Sequence, residues 1–386
     1  TVPTADQRAG DFSAYNVTLY DPLTGAADGS GRTPFANAAI PLARQSSITR
    51  KMQDLIPATN QPGTSNNYFV SKPVVFDRDN YDAKLNYSLS RNTTLWGKYS
   101  ALVSWVVGRF SLDKAGGPGF PWGAGTGDIL GQLATLAGTH TFSPNFVVDA
   151  NLGFARMAVA DLGEDYGQNF GLDVLGIPGT NGSDPRQGGM PNFSVSGYTA
   201  LGQVDSWMPK ILHDNTWTYS MNAGWNRGSH DIRFGVDIAR EQQNHWHPEQ
   251  GDNGPRGRFR FEGGVTALRG GPSPVQYNHW ASFLLGLPQR VGKSLQFLSM
   301  TPREWRHGYY FRDRWQVTRR LTLSLGLRWE YFPLMTNANY GLPRYDPTDN
   351  KVYIGRFGGV PDNAGTSVSK KDFGPRVGLA YRLREN

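Results

Sequence analysis

Residues 321–331 read LTLSLGLRWEY, and every second side chain in this stretch is large and apolar. Successive side chains of a β-strand point to opposite faces, so the stretch predicts a strand with one apolar and one polar face. Its eleven residues fit the about 9–11 that a tilted strand needs to cross a lipid bilayer. The apolar face ends in Trp329 and Tyr331, and aromatic residues in that position are typical of a membrane interface.

The composition favours a large β structure over a helical one. The chain has 386 residues, of which 47 are glycine and 25 are proline, and aromatic residues make up 12%. Charged residues reach only 18%, below the about 25% that is usual in soluble domains. No stretch approaches the about 18 consecutive apolar residues of a transmembrane helix. Membrane-spanning strands are only half apolar, so a transmembrane β-barrel stays compatible with this composition.

Cysteine content and charge exclude several classes of function. The chain has no cysteine, which rules out disulfides, cysteine-ligated zinc and a thiol nucleophile within these residues. The net charge of +7 would suit an anionic partner, but the basic residues are dispersed along the chain. We therefore expect no nucleic acid among the partners.

The alternating pattern recurs along the chain and predicts a series of hairpins. From residue 80 onwards, pairs of alternating runs flank short polar turns, which is the signature of a β-hairpin. Counting every run, including those near 258–262 and 289–300, predicts about eleven antiparallel strands. The predicted short turns are 90–93, 143–145, 226–229 and 318–320, and the predicted long connections are 105–128, 159–213, 244–256 and 333–372.

The lengths of these connections sort onto two ends of the predicted sheet. If each strand reverses direction, the short turns lie at one end and the long connections at the other, provided that 263–288 lies at the short-turn end. Short periplasmic turns and long extracellular loops describe an outer-membrane barrel. A soluble β-sandwich or propeller is the alternative, but loops longer than about 12–15 residues are uncommon in compact soluble domains. The predicted fold is all-β: a partial antiparallel transmembrane β-barrel with long extracellular loops.

Two regions of the chain differ in pattern. Residues 1–75 carry no sustained period and are rich in proline, glycine, asparagine and threonine, which predicts an irregular loop or cap segment that precedes the strands. Residues 76–386 carry the alternating runs and are predicted to form the partial barrel. The first residues do not read as a signal peptide, and the last alternating run continues to the final residues. We therefore expect an internal piece of a longer protein.

Several motifs resemble one family of outer-membrane proteins. The stretch GYYFRDRWQVTRRLTLSLGLRWEY at 308–331 resembles a strand–turn–strand of TonB-dependent outer-membrane receptors, in particular of the Oar-like group of acidobacterial type. The pieces AGDFSAYNVTLYDPLTG at 9–25, NYDAK at 80–84, WASFLLGLP at 280–288 and GPRVGLAY at 374–381 are similar to that group and follow one another in the same order.

The resemblance implies both a fold and a function. It implies a barrel of about 22 strands, closed by a plug domain that this chain lacks and energised through the TonB system. It further implies uptake of an unidentified solute across the bacterial outer membrane, such as an oligosaccharide or a peptide, with outer-membrane lipid as a partner and without a cofactor. A soluble or surface glycan-binding β protein and a passive porin are the alternatives.

Two sets of loop residues are candidates for binding. Tryptophan and tyrosine side chains can serve as binding anchors, although packing loops together is their more ordinary use. The segment at 244–252 could supply imidazole and carboxylate ligands to a metal ion, and a polar loop tip with unconnected histidines is the alternative. The candidate solute-binding aromatic residues are Trp105, Trp122, Tyr198, Trp207 and Trp246, and the metal candidates are His245, His247, Glu249 and Asp252.

The sequence carries no pattern for enzymatic catalysis. The glycine-rich pieces at 116–119 and 123–127 lack the lysine and the serine or threonine of a phosphate-binding loop, so we interpret them as loop glycines. The chain has neither a nucleophile elbow nor an HExxH motif. We therefore expect that the protein is not an enzyme.

Overall fold

The computed structural model describes residues 1–248, 253–296 and 298–383, without the side chains of residues 121 and 122. Within these ranges no helix is both long and apolar enough to cross a bilayer. The helices are α1 (Ala5–Ala9), α2 (Ser47–Gln53) and α3 (Gln276–Leu284), and single helical turns lie at Ala36–Ala38, Leu42–Arg44, Asp113–Ala115, Phe170–Val174 and Pro185–Gln187. The strands are β1 (Val75–Ser90), β2 (Thr93–Phe110), β3 (Gly116–Gly117), β4 (Gly119–Ser143), β5 (Phe146–Gly163), β6 (Asn192–Val195), β7 (Gly202–Gln203), β8 (Lys210–Arg227), β9 (His230–Trp246), β10 (Arg258–Phe261), β11 (Arg290–Gly292), β12 (Pro302–Gln316), β13 (Leu321–Tyr331), β14 (Thr336–Asn337), β15 (Pro343–Asp346), β16 (Lys351–Ile354) and β17 (Asp372–Tyr381).

Most of the β structure forms one ten-stranded sheet. Its strands follow the order β1-β2-β4-β5-β8-β9-β12-β13-β17, so each long strand pairs with the next long strand along the chain, and β14 pairs with β12 off this path. All of these pairs are antiparallel. The predicted all-β antiparallel fold is confirmed. β13 has the bounds that the alternation predicts, because large apolar residues and small or polar residues alternate there without interruption.

Two of the predicted strands lie outside this sheet. The chain near residues 258–262 and 289–300 contains β10 and β11, which form a separate three-stranded sheet with β6. β9 and β12 pair directly with each other instead, and Trp305 lies opposite Arg240. The expectation that 263–288 lies at the short-turn end is therefore wrong. This segment belongs to one long connection at the opposite end, since adjacent antiparallel strands are joined at a shared end.

The predicted long loop at 105–128 is also wrong. β2 continues to Phe110, and β4 begins at Gly119, with a bulge in their register between Gly108 and Arg109. Glycine permits the close approach at the bulge, because a Cβ atom at Gly108 would lie 2.1 Å from the carbonyl oxygen of Gly123. Glycine occupies every second position at 123–127, so this stretch shows no alternation of apolar and polar side chains that would predict a strand. The glycines interpreted as loop residues therefore lie largely in strands.

The register gives the main sheet two chemically different faces. Side chains directly opposite one another on paired strands share a face, so the face of Leu327 can be followed across the whole sheet. We call it the apolar face, and the reverse, which carries Arg328 and Glu330, the polar face. Along the strands the apolar face includes Leu85, Leu95, Leu136, Leu152, Met221, Val236, Phe311, Leu327 and Val377.

A packed cap lies at the end of the sheet where the long connections are. We define the cap as residues 1–74, 164–209 and 253–296, which precede β1, join β5 to β8 and lie between β9 and β12. Although residues 1–74 are largely irregular, they share a hydrophobic core with the other two segments. The largest fully buried side chains of this core are Phe12, Leu19, Met52, Phe193, Phe261, Trp280 and Phe283.

Local sequence signals position the cap helices. Thr4 begins α1 as its N-cap, and its side chain accepts a hydrogen bond from the backbone N–H of Gln7. Gly10 ends the helix in the left-handed conformation that glycine adopts without strain. On α3, the indole of Trp280 donates to the backbone oxygen of Gln7 over 3.1 Å. The first residues of the chain are therefore tied to a helix about 270 residues further on.

Candidate functional site

An arginine row crosses the polar face of the main sheet. Arg233 on β9 lies directly opposite Arg312 on β12, which lies opposite Gly326 on β13, which in turn lies opposite Arg376 on β17. We call Arg233, Arg312 and Arg376 the arginine row. Like charges directly opposite each other destabilise a sheet, so the row needs negative charge from elsewhere.

The acidic side chains nearby neutralise this positive charge only in part. Asp231 lies 3.6 Å from Arg233 and 3.3 Å from Arg312, so one carboxylate serves two guanidinium groups. All three side chains are at least one third exposed, and exposed ion pairs contribute only about 0–1 kcal/mol each. Within the described residues Arg376 forms no ion pair with a carboxylate. The row therefore presents excess positive charge on this face.

A second basic group is held next to the row. Arg328 donates from Nε to the carboxylate of Glu330 over 2.8 Å, and its Nη1 lies 3.7 Å from the carboxylate of Asp237 two strands away. The guanidinium crosses β12 at Gly308, where a Cβ atom would lie 2.8 Å from Nη2 of Arg328. Glycine at this point therefore lets the arginine lie flat against the sheet.

A cavity of about 720 Å³ opens over these groups. Its charged lining comes from Arg233, Arg312, Arg328 and Arg376, and Gly326, Gly374 and Gly378 leave room above the backbone. Guanidinium groups form paired hydrogen bonds with carboxylates and phosphates. The arrangement can therefore bind a molecule, or a protein segment, that carries such groups.

Two of the predicted solute-binding aromatic residues, Trp105 and Tyr198, have other surroundings in the structure than the sequence predicts. Trp105 lies within β2 on the apolar face, opposite Asp77 and Asp128, so its predicted loop position is wrong. Tyr198 lies in the cap, where its ring packs 4.9 Å from that of Trp280 and its hydroxyl hydrogen-bonds to Gln7. The side chain of Trp122 is outside the part of the chain that the structure describes.

The other two aromatic candidates lie where the cap meets the sheet. Trp246 is 2% exposed, and the guanidinium of Arg186 lies over its ring at 4.7 Å. Trp207 is partly buried, with the ammonium group of Lys210 at 5.1 Å from its ring. The structure does not bring the four candidates with described side chains to one surface. Their role in solute binding stays a prediction.

The predicted metal ligands lie at the end of β9. The side chain of His245 is hydrogen-bonded through Nε2 to the carboxylate of Asp214 over 2.6 Å, and His247 also has an interaction partner. Glu249 and Asp252 lie outside the described residues. Within the ranges that the structure describes, no cluster of three or more histidine, aspartate or glutamate side chains could hold a metal ion.

A buried charged cluster ties two cap segments together. Arg256 is 3% exposed and donates from Nη2 to the backbone oxygen of Asp205 over 3.2 Å. Burial lowers the pKa of Arg256 to about 10, while Asp165 and Asp205 favour its charged form. Burial likewise raises the pKa of Asp165 and of Asp205, and the charge of Arg256 opposes that change. The cluster therefore serves to fix the cap, and it lies apart from the arginine row.

The main sheet has the features of a membrane-spanning wall, with a continuous exposed apolar face on one side. Such a face is large for a soluble monomer. The family described as “Outer membrane beta barrel domain” matches residues 1–386, the whole chain. The chain belongs to this family. It therefore lies in the bacterial outer membrane, where the apolar face of this barrel wall meets lipid and the polar face, with the arginine row, meets the lumen.

Several solved structures of outer-membrane proteins are similar to this chain at low sequence identity. The ferric preacinetobactin receptor BauA from Acinetobacter baumannii is 13% identical, with a TM-score of 0.39 and coverage of 81% of this chain and 38% of that chain. FpvAI in its complex with pyocin S2 is 13% identical, with a TM-score of 0.38 and coverage of 81% of this chain and 35% of that chain. The ferric citrate transporter FecA in its unliganded form is 11% identical, with a TM-score of 0.36 and coverage of 81% of this chain and 34% of that chain. This chain thus spans less than two fifths of each of these proteins. No curated protein matches the chain.

The arginine row is the feature that sequence reasoning missed as a site. The alternation places Arg233 and Arg376 on the polar side of their own strands. It does not tell that Arg312 lies between them, because that depends on the register of three strand pairs. The repeated arginines at polar positions of successive strands are the one signal in the sequence that points to the row.

Proposed function

We propose that the chain forms part of a TonB-dependent receptor that takes up a solute across the outer membrane. The observation that carries the proposal is the arginine row on the lumenal face of a membrane-spanning wall. The motifs at 308–331 and 374–381, which resemble those of TonB-dependent receptors, support the same function.

The proposed solute is an oligosaccharide, a peptide or a similar molecule with acidic groups. Arg233, Arg312 and Arg376 would bind carboxylates or phosphates as the solute passes along the lumen, since charge-assisted hydrogen bonds to guanidinium are strong and directional. The cavity of about 720 Å³ beside them leaves space for several such groups. The alternative ligand of the arginine row is a set of acidic side chains on a plug domain, which would neutralise the same positive charge.

The resemblance of the motifs supports a more specific proposal about the receptor group and the barrel. We propose that the receptor belongs to the Oar-like group of acidobacterial type, and that this chain supplies an internal part of a barrel of about 22 strands. The TonB system would act through a plug domain encoded elsewhere in the same gene. Residues 1–75 would serve as an extracellular cap segment, and residues 76–386 as barrel wall with its loops.

A passive porin is the remaining alternative for a lumen lined with charges. The two functions differ in whether the lumen is open. The complete gene product should be reconstituted into liposomes, and osmotic swelling should be measured with small neutral sugars. A plugged receptor gives no swelling above that of empty liposomes. Swelling at the rate of a general porin would overturn the proposal.

Dependence on TonB is tested by direct binding. The complete gene product, kept in detergent, should bind the isolated periplasmic domain of TonB in a pull-down or by calorimetry. The matched control is the same protein without its plug segment, which should not bind. No binding by the complete protein would contradict TonB-dependent uptake, even if the lumen is closed.

A further inference from the structure

The apolar face of the barrel wall carries three arginines near its extracellular end. Arg156 on β5, Arg240 on β9 and Arg303 on β12 all lie on this face. Arg156 lies opposite Asn215, and Arg303 lies opposite Gln242, and these two polar residues lie opposite each other. The four side chains therefore form one polar row across four adjacent strands.

The next row towards the periplasm is aromatic and holds the third arginine. Phe154 lies opposite Trp217, which lies opposite Arg240, which lies opposite Trp305. The guanidinium of Arg240 lies over the ring of Trp305 at 4.8 Å. Aromatic residues mark the level at which the hydrocarbon region meets the headgroups. The three arginines therefore lie at the headgroup level.

The depth of Arg240 along its strand gives the same level. Arg240 lies ten positions after His230, where β9 begins at the short-turn end. With a rise of about 3.3 Å per residue and a tilt of about 40°, this corresponds to about 25 Å along the membrane normal. The apolar band of such barrels is itself about 25 Å tall. Arg240 thus lies at its outer edge.

The three guanidinium groups have neutral partners within the protein. Arg156 donates to the side-chain oxygen of Asn215 over 3.3 Å, and Arg303 donates from Nη2 to that of Asn244 over 2.8 Å. Among the described residues, none of the three arginines forms an ion pair with a carboxylate. Glu241 and Glu304 are close in sequence, but they lie on the lumenal face, where both contact Arg306.

We propose that Arg156, Arg240 and Arg303 form a binding site for the phosphate groups of a phosphorylated lipid headgroup in the outer leaflet. Guanidinium groups recognise phosphate through paired, charge-assisted hydrogen bonds. Unneutralised charges next to lipid are costly, and phosphates at this level supply the missing negative charge. The acyl chains of the same lipid then lie against the apolar residues below, such as Met221 and Val236. This commits the site to a lipid and not to a soluble anion.

The matched comparison is between outward and inward arginines on the same strands. The outward variant carries Arg240→Gln and Arg303→Gln, and the control carries Arg233→Gln and Arg312→Gln, which lie on the lumenal face of the same two strands. Each variant removes two positive charges from β9 and β12. Heat-modifiability on gels shows whether each variant is folded. If the outward variant does not fold, the single variant Arg156→Gln, on β5, replaces it in the binding measurement.

Binding is measured with the complete gene product in detergent, by native mass spectrometry, as the number of lipid molecules retained. The probes are lipid A with its two phosphates, dephosphorylated lipid A and inorganic phosphate. We expect the outward variant to lose affinity for phosphorylated lipid A by about tenfold or more, the loss that one charge-assisted hydrogen bond accounts for. The control variant should retain it unchanged.

Three results would overturn the site. Equal retention of the phosphorylated and the dephosphorylated lipid shows that phosphate is not recognised. An equal loss in the outward and inward variants shows that overall charge acts, and not these positions. Binding of inorganic phosphate as tight as that of the lipid shows a soluble-anion site in its place.

Discussion

A charge placed on the apolar face halfway across the membrane should destabilise the barrel, and Leu152 is the best position for it. Leu152 lies on β5 opposite Leu136 and Tyr219, and no charged residue is directly opposite it. Its side chain is 40% exposed in the isolated wall, so a longer residue fits without displacing a packed core. We predict that Leu152→Arg destabilises the membrane-inserted protein.

The depth of Leu152 sets the size of the effect. It follows Phe146, where β5 begins at the short-turn end, by six positions. At about 3.3 Å per residue and a tilt of about 40°, it lies about 15 Å above that end, near the middle of an apolar band about 25 Å tall. An arginine at the midplane of a barrel costs about 2–4 kcal/mol. The free energy of unfolding should fall by that amount.

The neighbouring residue supplies the control. Asn151 points to the lumen, opposite Ala137 and Ser220, so Asn151→Arg adds the same charge on the aqueous side. The free energy of unfolding of both variants should be measured by urea titration of the complete gene product in lipid vesicles. Asn151→Arg should change it by less than about 1 kcal/mol. Equal destabilisation by the two variants would refute the assignment of the faces.

Three further predictions concern the cap and the sheet. Trp280→Ala should destabilise the cap core by about 3–5 kcal/mol and make the cap sensitive to trypsin without a change in heat-modifiability; an equally resistant cap would contradict the shared core. The Arg44 guanidinium holds the pKa of Asp21 below its usual value. The stability that this pair gives the cap is therefore fully present above about pH 4, the usual pKa of an aspartate in the unfolded chain. It is lost as the pH falls through the lowered pKa of Asp21 in the folded protein. Asp21→Asn should remove that part of the pH dependence in thermal unfolding, and unchanged curves would speak against the pair. Gly125→Ala should cost about 1–3 kcal/mol, because φ is +144° and a Cβ atom would lie 1.9 Å from the carbonyl oxygen of Leu162; Gly224→Ala, where no atom lies within 4 Å, is the control that should be neutral.

The long strands could be predicted because each carries its own signal. At 321–331 the alternation is complete, and the structure places the strand ends at the predicted residues. The short turn at 226–229 is likewise flanked by alternating runs, and β8 and β9 meet there. In such stretches the face of every side chain follows from its position alone, since a strand repeats every two residues.

The cap could not be predicted in the same way. Its core brings together Phe12, Phe193, Phe261 and Trp280, which are far apart in the chain and follow no common period. Short strands such as β10 do show alternation, but alternation does not tell which sheet a strand joins. Pairing with β6 and β11 and packing against α3 place β10 in the cap and not in the wall.

The arginine row shows the same limit for the candidate site. Arg233 and Arg376 could be assigned to the polar side of their strands from the sequence. That Arg233 and Arg312 are direct neighbours depends on the pairing register, which a shift of one residue would change entirely. The chemistry of the site therefore depends on how the strands pair and cannot be predicted from any one strand alone.

The assignment of the two faces is tested most directly by spin-label accessibility along 321–331. Single cysteines can be introduced at each position, because the chain has none of its own, in a complete gene product otherwise free of cysteine. Labels at odd positions should collide mainly with oxygen dissolved in lipid, and labels at even positions mainly with a water-soluble nickel complex. If the apolar face meets lipid, accessibility to the two reagents alternates with a period of two. Equal accessibility at neighbouring positions, or the inverse phase, would contradict it.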